Sequence, residues 1–157
     1  MADWLVRLYD LPDPAARFAA VEEAGYHLVR PVMPSRSVVV RWVRERFSEG
    51  WVSEVEAAFG SQPVTCIIAL DSSGKIAGFA CYDVTFRGFF GPMAVDEEHR
   101  GVGLGTALLF RALGAMRENG YAYAVIGDAA DGDFYANRAG AIEIPDSEPG
   151  PYRDRPA

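Results

Sequence analysis

The spacing of apolar residues along the chain changes character more than once. Val39, Trp42, Val43 and Phe47 recur at three- and four-residue steps, which predicts a helix from Ser35, its N-cap, to Gly50, its terminator. Val55 and Phe59 keep that step through a shorter helix over 51–59, broken by Gly60 to Pro63. From Val64 the blocks shorten. Residues 64–70 and 76–86 flank Asp71-Ser72-Ser73-Gly74 and predict an antiparallel hairpin, followed by another strand over 89–95. Pro92 inside that strand has no amide hydrogen to donate, so the strand is expected at an edge or distorted there. A helical period returns from Gly103 to Asn119, where Leu108, Leu109, Ala112, Leu113 and Met116 share a face and Gly120 ends the run. Residues 121–127 are almost continuously apolar, as expected inside a sheet, and a short helix over 131–138 precedes a last strand over 141–144.

The beginning of the chain carries a weaker signal. Trp4 to Leu8 reads as a short strand or an arm, and Asp13-Pro14 opens a helix that Gly25 closes. Residues 26–32 read as a strand between that helix and the prolines Pro31 and Pro34. The order of elements predicts one α/β (α+β) domain over 1–157, a mixed and mostly antiparallel sheet flanked by helices on both faces. Residues 1–25 read as an N-terminal extension and 145–157 as a tail rich in Pro, Gly and charge. The extension also offers a surface for a homodimer.

Composition narrows the ligand. Fifty per cent hydrophobic residues and 24% charged ones are the mixture of a soluble globular domain. No apolar run approaches the roughly 20 residues of a membrane span, and the N-terminus lacks a signal peptide, so a cytoplasmic location is expected. A formal charge of −7 argues against binding nucleic acid or an anionic membrane. A phosphate site must therefore be built locally, from backbone amides and a few arginines. Two cysteines, Cys66 and Cys81, and two histidines, His27 and His99, are too scattered for a zinc site, so no metal is expected. With the hairpin turn at Ser73-Gly74, the two cysteines would face each other as buried, reduced thiols.

The chemistry concentrates between the strand over 89–95 and the long helix. Arg100-Gly101-Val102-Gly103-Leu104-Gly105-Thr106 joins a strand to a helix N-terminus, where about four amides lack internal partners and anions bind readily. Its glycines let a diphosphate approach the backbone, and Arg100 adds a forked cationic donor. The Walker loop fails for want of its lysine, since Lys75 is the only one in the chain. The dinucleotide fingerprint fails because Thr106 stands where its third glycine belongs.

What fits is RxxGxG, met by Arg100, Gly103 and Gly105 after Phe90-Gly91-Pro92-Met93-Ala94-Val95 and before an amphipathic helix and Phe134-Tyr135. In these motifs, and in the order of elements over about 26–144, the chain resembles the GCN5-related N-acetyltransferase superfamily. The resemblance implies an acetyl-coenzyme A-dependent N-acetyltransferase. The amides of Gly101 to Thr106 would then hold the pyrophosphate, Met93, Ala94 and Val95 would line the pantetheine arm, and Arg138 would lie near the adenosine phosphate. Tyr135 matches the tyrosine that protonates the departing thiolate. Asp128 stands where the family often has Asn, and Gly140-Ala141 where it usually has Gly-Phe.

Acetyl transfer to an amine needs a docked donor, a neutral amine, relief of charge on the carbonyl oxygen and a proton for sulfur. A phenol that stays neutral at pH 7 suits the last task, which gives Tyr135 chemical sense as general acid. The base stays open among Glu45, Glu54, Glu56, Asp83, Asp128 and water. No nucleophile paired with a histidine is discernible, so direct transfer in a ternary complex is expected. The acceptor, a small-molecule or peptide amine, is expected to meet residues 35–59 and the tail, with Trp42, Phe47, Trp51 and Phe59 read as core ahead of pocket lining. A non-catalytic acyl-CoA-binding or sensing domain is the alternative reading.

Overall fold

Seven strands form one sheet in the order β2-β3-β4-β5-β6-β1-β7, and the computed structural model describes all residues, 1–157. The strands are β1 (Trp4–Arg7), β2 (His27–Val29), β3 (Cys66–Leu70), β4 (Ile76–Tyr82), β5 (Phe89–Val95), β6 (Tyr123–Ile126) and β7 (Ile142–Glu143). The helices are α1 (Ala15–Glu23), α2 (Arg36–Arg44), α3 (Glu49–Phe59), α4 (Leu104–Glu118) and α5 (Gly132–Ala139). Every strand pair is antiparallel except β5 with β6. The mixed, mostly antiparallel sheet with helices on both faces is the expected architecture. No helix is long and apolar enough to cross a membrane.

Two apolar cores hold the layers. Leu104, Leu108, Leu109, Leu113 and Met116 of α4 pack with Val21 of α1, Phe90 and Ile126 on one face. Each such side chain contributes about 1.5–3 kcal/mol on burial, which fixes the start of α4 rigidly against the sheet. On the other face Val39 and Val43 of α2 and Val52, Val55 and Phe59 of α3 cover Ile68 and Phe79. Trp42 and Phe59 are buried here, and Phe47 and Trp51 stack on Phe79 at centroid distances of 6.0 Å, so these four aromatics are core. Cys66 and Cys81 are register partners, fully buried and unbonded, as the hairpin spacing predicts. Burial and the neighbouring Cys66 push the Cys81 thiol well above its ordinary range.

Several sequence expectations need revising. Residues 1–25 are built into the fold, because β1 pairs with β6 on one side and β7 on the other. With both edges occupied, β1 offers no free strand edge to a second copy. Gly50 does not end α2. That helix stops at Arg44, and Ser48 caps α3 by accepting from the Trp51 amide at 3.3 Å, leaving Gly50 in the first turn of α3. β4 ends at Tyr82, four residues earlier than expected, because Asp83 adopts φ 56° and accepts the Gly88 amide in a turn. Pro92 lies inside the sheet, where Gly91 and Pro92 together face Cys81 in a bulge, so distortion rather than an edge accommodates it.

Candidate active site

The site begins where β5 and β6 part. They pair only through Phe89↔Val125 and Phe90↔Ile126; β6 then ends while β5 runs on to Val95. Beyond Phe90 one edge of β5 therefore faces a wedge-shaped gap. Asp96 donates to the Ala77 carbonyl of β4, and by strand alternation Ala94 also turns its backbone groups to β4. Met93 and Val95 turn theirs to the gap. The Val95 carbonyl accepts from Arg100 Nε at 3.3 Å, which confirms its direction. The Met93 backbone and the Val95 amide thus stand free to pair with an extended ligand, while the Val95 carbonyl already accepts from Arg100 and the Ala94 backbone is committed to β4.

At the mouth of the gap lies the glycine loop. The amides of Gly101, Val102, Gly103, Leu104, Gly105 and Thr106 make no hydrogen bond within the chain, and the first helical bond of α4 is Ala107 to the Gly103 carbonyl. Six successive unpaired donors beside a helix N-terminus form an anion cradle. Gly101 and Gly103 hold φ of 90° and 87°, and a β-carbon on either would project into open space. These two glycines serve the backbone turn and the open approach to it, since nothing is packed against them. Gly105 has a different use. Val95 and Phe134 lie 3.8 and 4.0 Å from where its β-carbon would be, so α5 leans directly on the loop.

The arginines divide the work. Arg138 of α5 donates from Nε to the Thr106 hydroxyl at 3.2 Å and lies over the Phe134 ring, which holds its cation against the first turn of α4. Arg100 turns back to Val95 and, at 3.9 Å, to Glu97, with its side chain 64% exposed. It flanks the cradle and is not fixed over it.

Tyr135 sits at the apex of the wedge. Its ring meets Phe90, the last residue of β5 paired with β6, at 6.1 Å, and Phe134 at 5.1 Å, both edge-on. Burial, reinforced by the Asp131 charge, pushes the phenol up to about 12. The side chain belongs to the face covered by α4, as do Phe90 and Ile126.

The opposite face of the apex holds a residue that sequence reasoning missed. Tyr152, in the short 3-10 turn Gly150–Tyr152, points its hydroxyl at Gly127, just past the end of β6, where a β-carbon would collide with it. Phe89 lies 3.0 Å from the same β-carbon position, and the ring centroids of Phe86 and Phe89 are 5.0 Å apart, with Tyr152 6.1 Å from Phe86. No local signal marks Tyr152, which stands in a Pro- and charge-rich tail.

The carboxylates considered as base also sort themselves by position. Glu45 contacts Arg46, Glu56 contacts Arg36, and Asp83 is tied into the Gly88 turn. Glu54 accepts from the Thr85 hydroxyl, and Asp3 Oδ1 accepts from the Asp128 amide at 2.8 Å. The Asp3, Glu54 and Asp128 charges bear on Tyr152, whose phenol burial first, and then these charges, push up to about 12. His99 bonds Tyr26 at 2.9 Å, away from the apex. No three His, Cys, Asp or Glu side chains converge as a metal site.

Comparison with known proteins gives a consistent picture. The family model of the acetyltransferase (GNAT) family matches residues 24–140. An uncharacterized N-acetyltransferase of Escherichia coli, YhbS, is 34% identical over 73 residues, which cover 41% of this chain and 43% of that protein. The chain thus aligns with less than half the length of that curated relative. A GCN5-related N-acetyltransferase from Sphaerobacter thermophilus superposes with a TM-score of 0.68 at 20% identity, covering 91% of this chain and 48% of that one. A GNAT-family acetyltransferase from Brucella melitensis, solved with acetyl-CoA, gives 0.53 at 19% identity over 76% of this chain and 88% of its own.

Proposed function

The chain belongs to the acetyltransferase (GNAT) family, and from that premise we propose that it moves an acetyl group from acetyl-coenzyme A directly to an amine bound at the same time. The observation that carries this reading is the run of six unpaired amides opening onto the gap between β5 and β6. The residues present fit a diphosphate followed by an extended arm: unpaired donors at 101–106, the Arg138 cation beside Thr106, and the free edge of β5 at Met93 and Val95.

Acetyl-coenzyme A supplies the activated acyl carbon as its thioester. The amides of Gly101 to Thr106 bind the diphosphate, Arg138 neutralises charge beside it, and Met93 and Val95 align the arm toward the apex. Tyr135 Oη retains its proton throughout the neutral range, gives it to sulfur as the C–S bond breaks and the C–N bond forms, and recovers a proton from water before the next turnover. The proton lost by the amine passes to water or to a carboxylate on the Tyr152 side. Cys66 and Cys81 are fully buried, which supports direct transfer over a covalent acyl-enzyme.

The test is release of free thiol from acetyl-coenzyme A with a panel of amines, in wild type and Tyr135→Phe. Amine-dependent release that Tyr135→Phe suppresses supports the reading. Tight coenzyme A binding with no turnover on any amine would support a sensing domain instead.

A further inference from the structure

Tyr135 and the start of α4 belong to one face of the sheet, which leaves the opposite face for a second substrate. That face is lined by α3 and the tail. Phe89 and Phe90 separate the two sides: Phe90 meets Tyr135, whereas Phe89 and the β-carbon direction of Gly127 meet the Tyr152 side. Tyr152 closes the apex from there, with Phe86 and Phe89 as an aromatic wall and Phe86 itself 43% exposed. Glu54 of α3 stands beside this wall, its carboxylate oriented by the Thr85 hydroxyl. A half-buried carboxylate attracts an ammonium group by charge, and an aromatic ring that turns its face to the same cation adds its quadrupole. A neutral isostere gains neither.

Resting on the transfer reaction read above, we propose that Tyr152 selects the acceptor: with Phe86, Phe89 and Glu54 it forms the amine side of the gap and admits an amine that arrives as an ammonium ion. The raised phenol bears on the same arrangement, because Tyr152 keeps its proton at neutral pH and adds no negative charge of its own. Glu54 is then the group that holds the cation, and Tyr152 is the wall it slides along. The tail sets specificity, and the loop at the far end leaves acceptor choice untouched.

The experiment titrates n-butylamine and its neutral isostere butan-1-ol into the protein saturated with coenzyme A, which lacks an acetyl group to transfer. Wild type, Tyr152→Ala, Tyr152→Phe and Glu54→Gln are compared by calorimetry. Wild type is expected to bind the amine about tenfold more tightly than the alcohol, as one cation–π or charged contact allows. Glu54→Gln should bring the two ligands within about twofold, and Tyr152→Ala should weaken the amine about fivefold. Tyr152→Phe, which keeps the ring, should retain the preference, and the coenzyme A affinity should stay unchanged in all variants. Equal affinity for amine and alcohol in wild type would overturn the proposal. So would an amine preference that survives both Tyr152→Ala and Glu54→Gln. Should coenzyme A itself fail to bind, the transfer reading fails, and the same titrations on the free protein still decide whether an ammonium site exists.

Discussion

The gap between β5 and β6 has two ends made by opposite means. The proposed donor end is a run of neighbouring residues, Arg100 to Thr106, that offers unpaired backbone amides and needs side chains mainly to be absent. The proposed amine end is assembled from Glu54, Phe86, Phe89, Gly127 and Tyr152, which are remote in sequence and act through their side chains or, at Gly127, through the lack of one. A backbone cradle accepts one ligand chemistry and tolerates little substitution at its glycines. A side-chain wall is open to revision one residue at a time.

Substitutions at the two ends should separate cleanly. The largest effect is expected for Gly103→Val, because φ 87° is adverse to a branched residue and its side chain would enter the space before the amides. Coenzyme A affinity should fall about 10³-fold by calorimetry, the combined loss of several charge–dipole contacts. Unfolding free energy should drop by only about 1–2 kcal/mol, since nothing is packed against that position. Unchanged affinity would remove the loop from the donor end altogether.

Tyr135→Phe should lower kcat about 10²-fold with little change in coenzyme A affinity, as removal of a general acid does. Gly127→Ala strikes the amine end. Its methyl group collides with Tyr152 and Phe89, and a loss of about 1–3 kcal/mol is expected in denaturant melts, with donor binding intact. Arg138→Gln should weaken coenzyme A about tenfold while leaving the amine side unaffected, readable in the same calorimetric titration.

The smallest expected effect is one of pH. The Tyr135 phenol lies near 12 in the folded protein, above its ordinary value near 10, so the proton-bearing form is complete below pH 10 and lost only as pH rises through 12. The rate should climb with pH as the amine loses its proton and show no falling limb below pH 10. A descending limb between pH 8 and 9 that Tyr135→Phe abolishes would assign that phenol a lowered value and contradict the effect of burial.

The glycine loop was legible because it is local. Glycine spacing, the strand before it and the amphipathic period of α4 all sit within one stretch, and the observed Leu104–Glu118 lies one residue inside each expected end. The fold class was legible for the same reason, as short apolar blocks set off by turn residues marked β3 to β5 and the 3.6-residue step marked α2 to α4. The place of β1 was not. Its pairing with β6 and β7 joins the two ends of the chain, and four residues carry no signal of so distant a partner. Gly50 misled because a glycine after a helical run signals an end, whereas Ser48 two residues earlier caps the next helix. Tyr152 was invisible because its meaning comes from Gly127 and Phe89 across the sheet, and not from its neighbours in the tail.

The central claim is that the amides of residues 101 to 106 grip the diphosphate of the donor. Backbone amide NMR of the protein with and without coenzyme A addresses it residue by residue. The account expects the resonances of Gly101 to Thr106 to move most and their hydrogen exchange to slow on binding, with Met93 and Val95 following. If those six signals stay in place while the ligand-induced shifts gather on another part of the molecule, the donor binds elsewhere and the account is wrong.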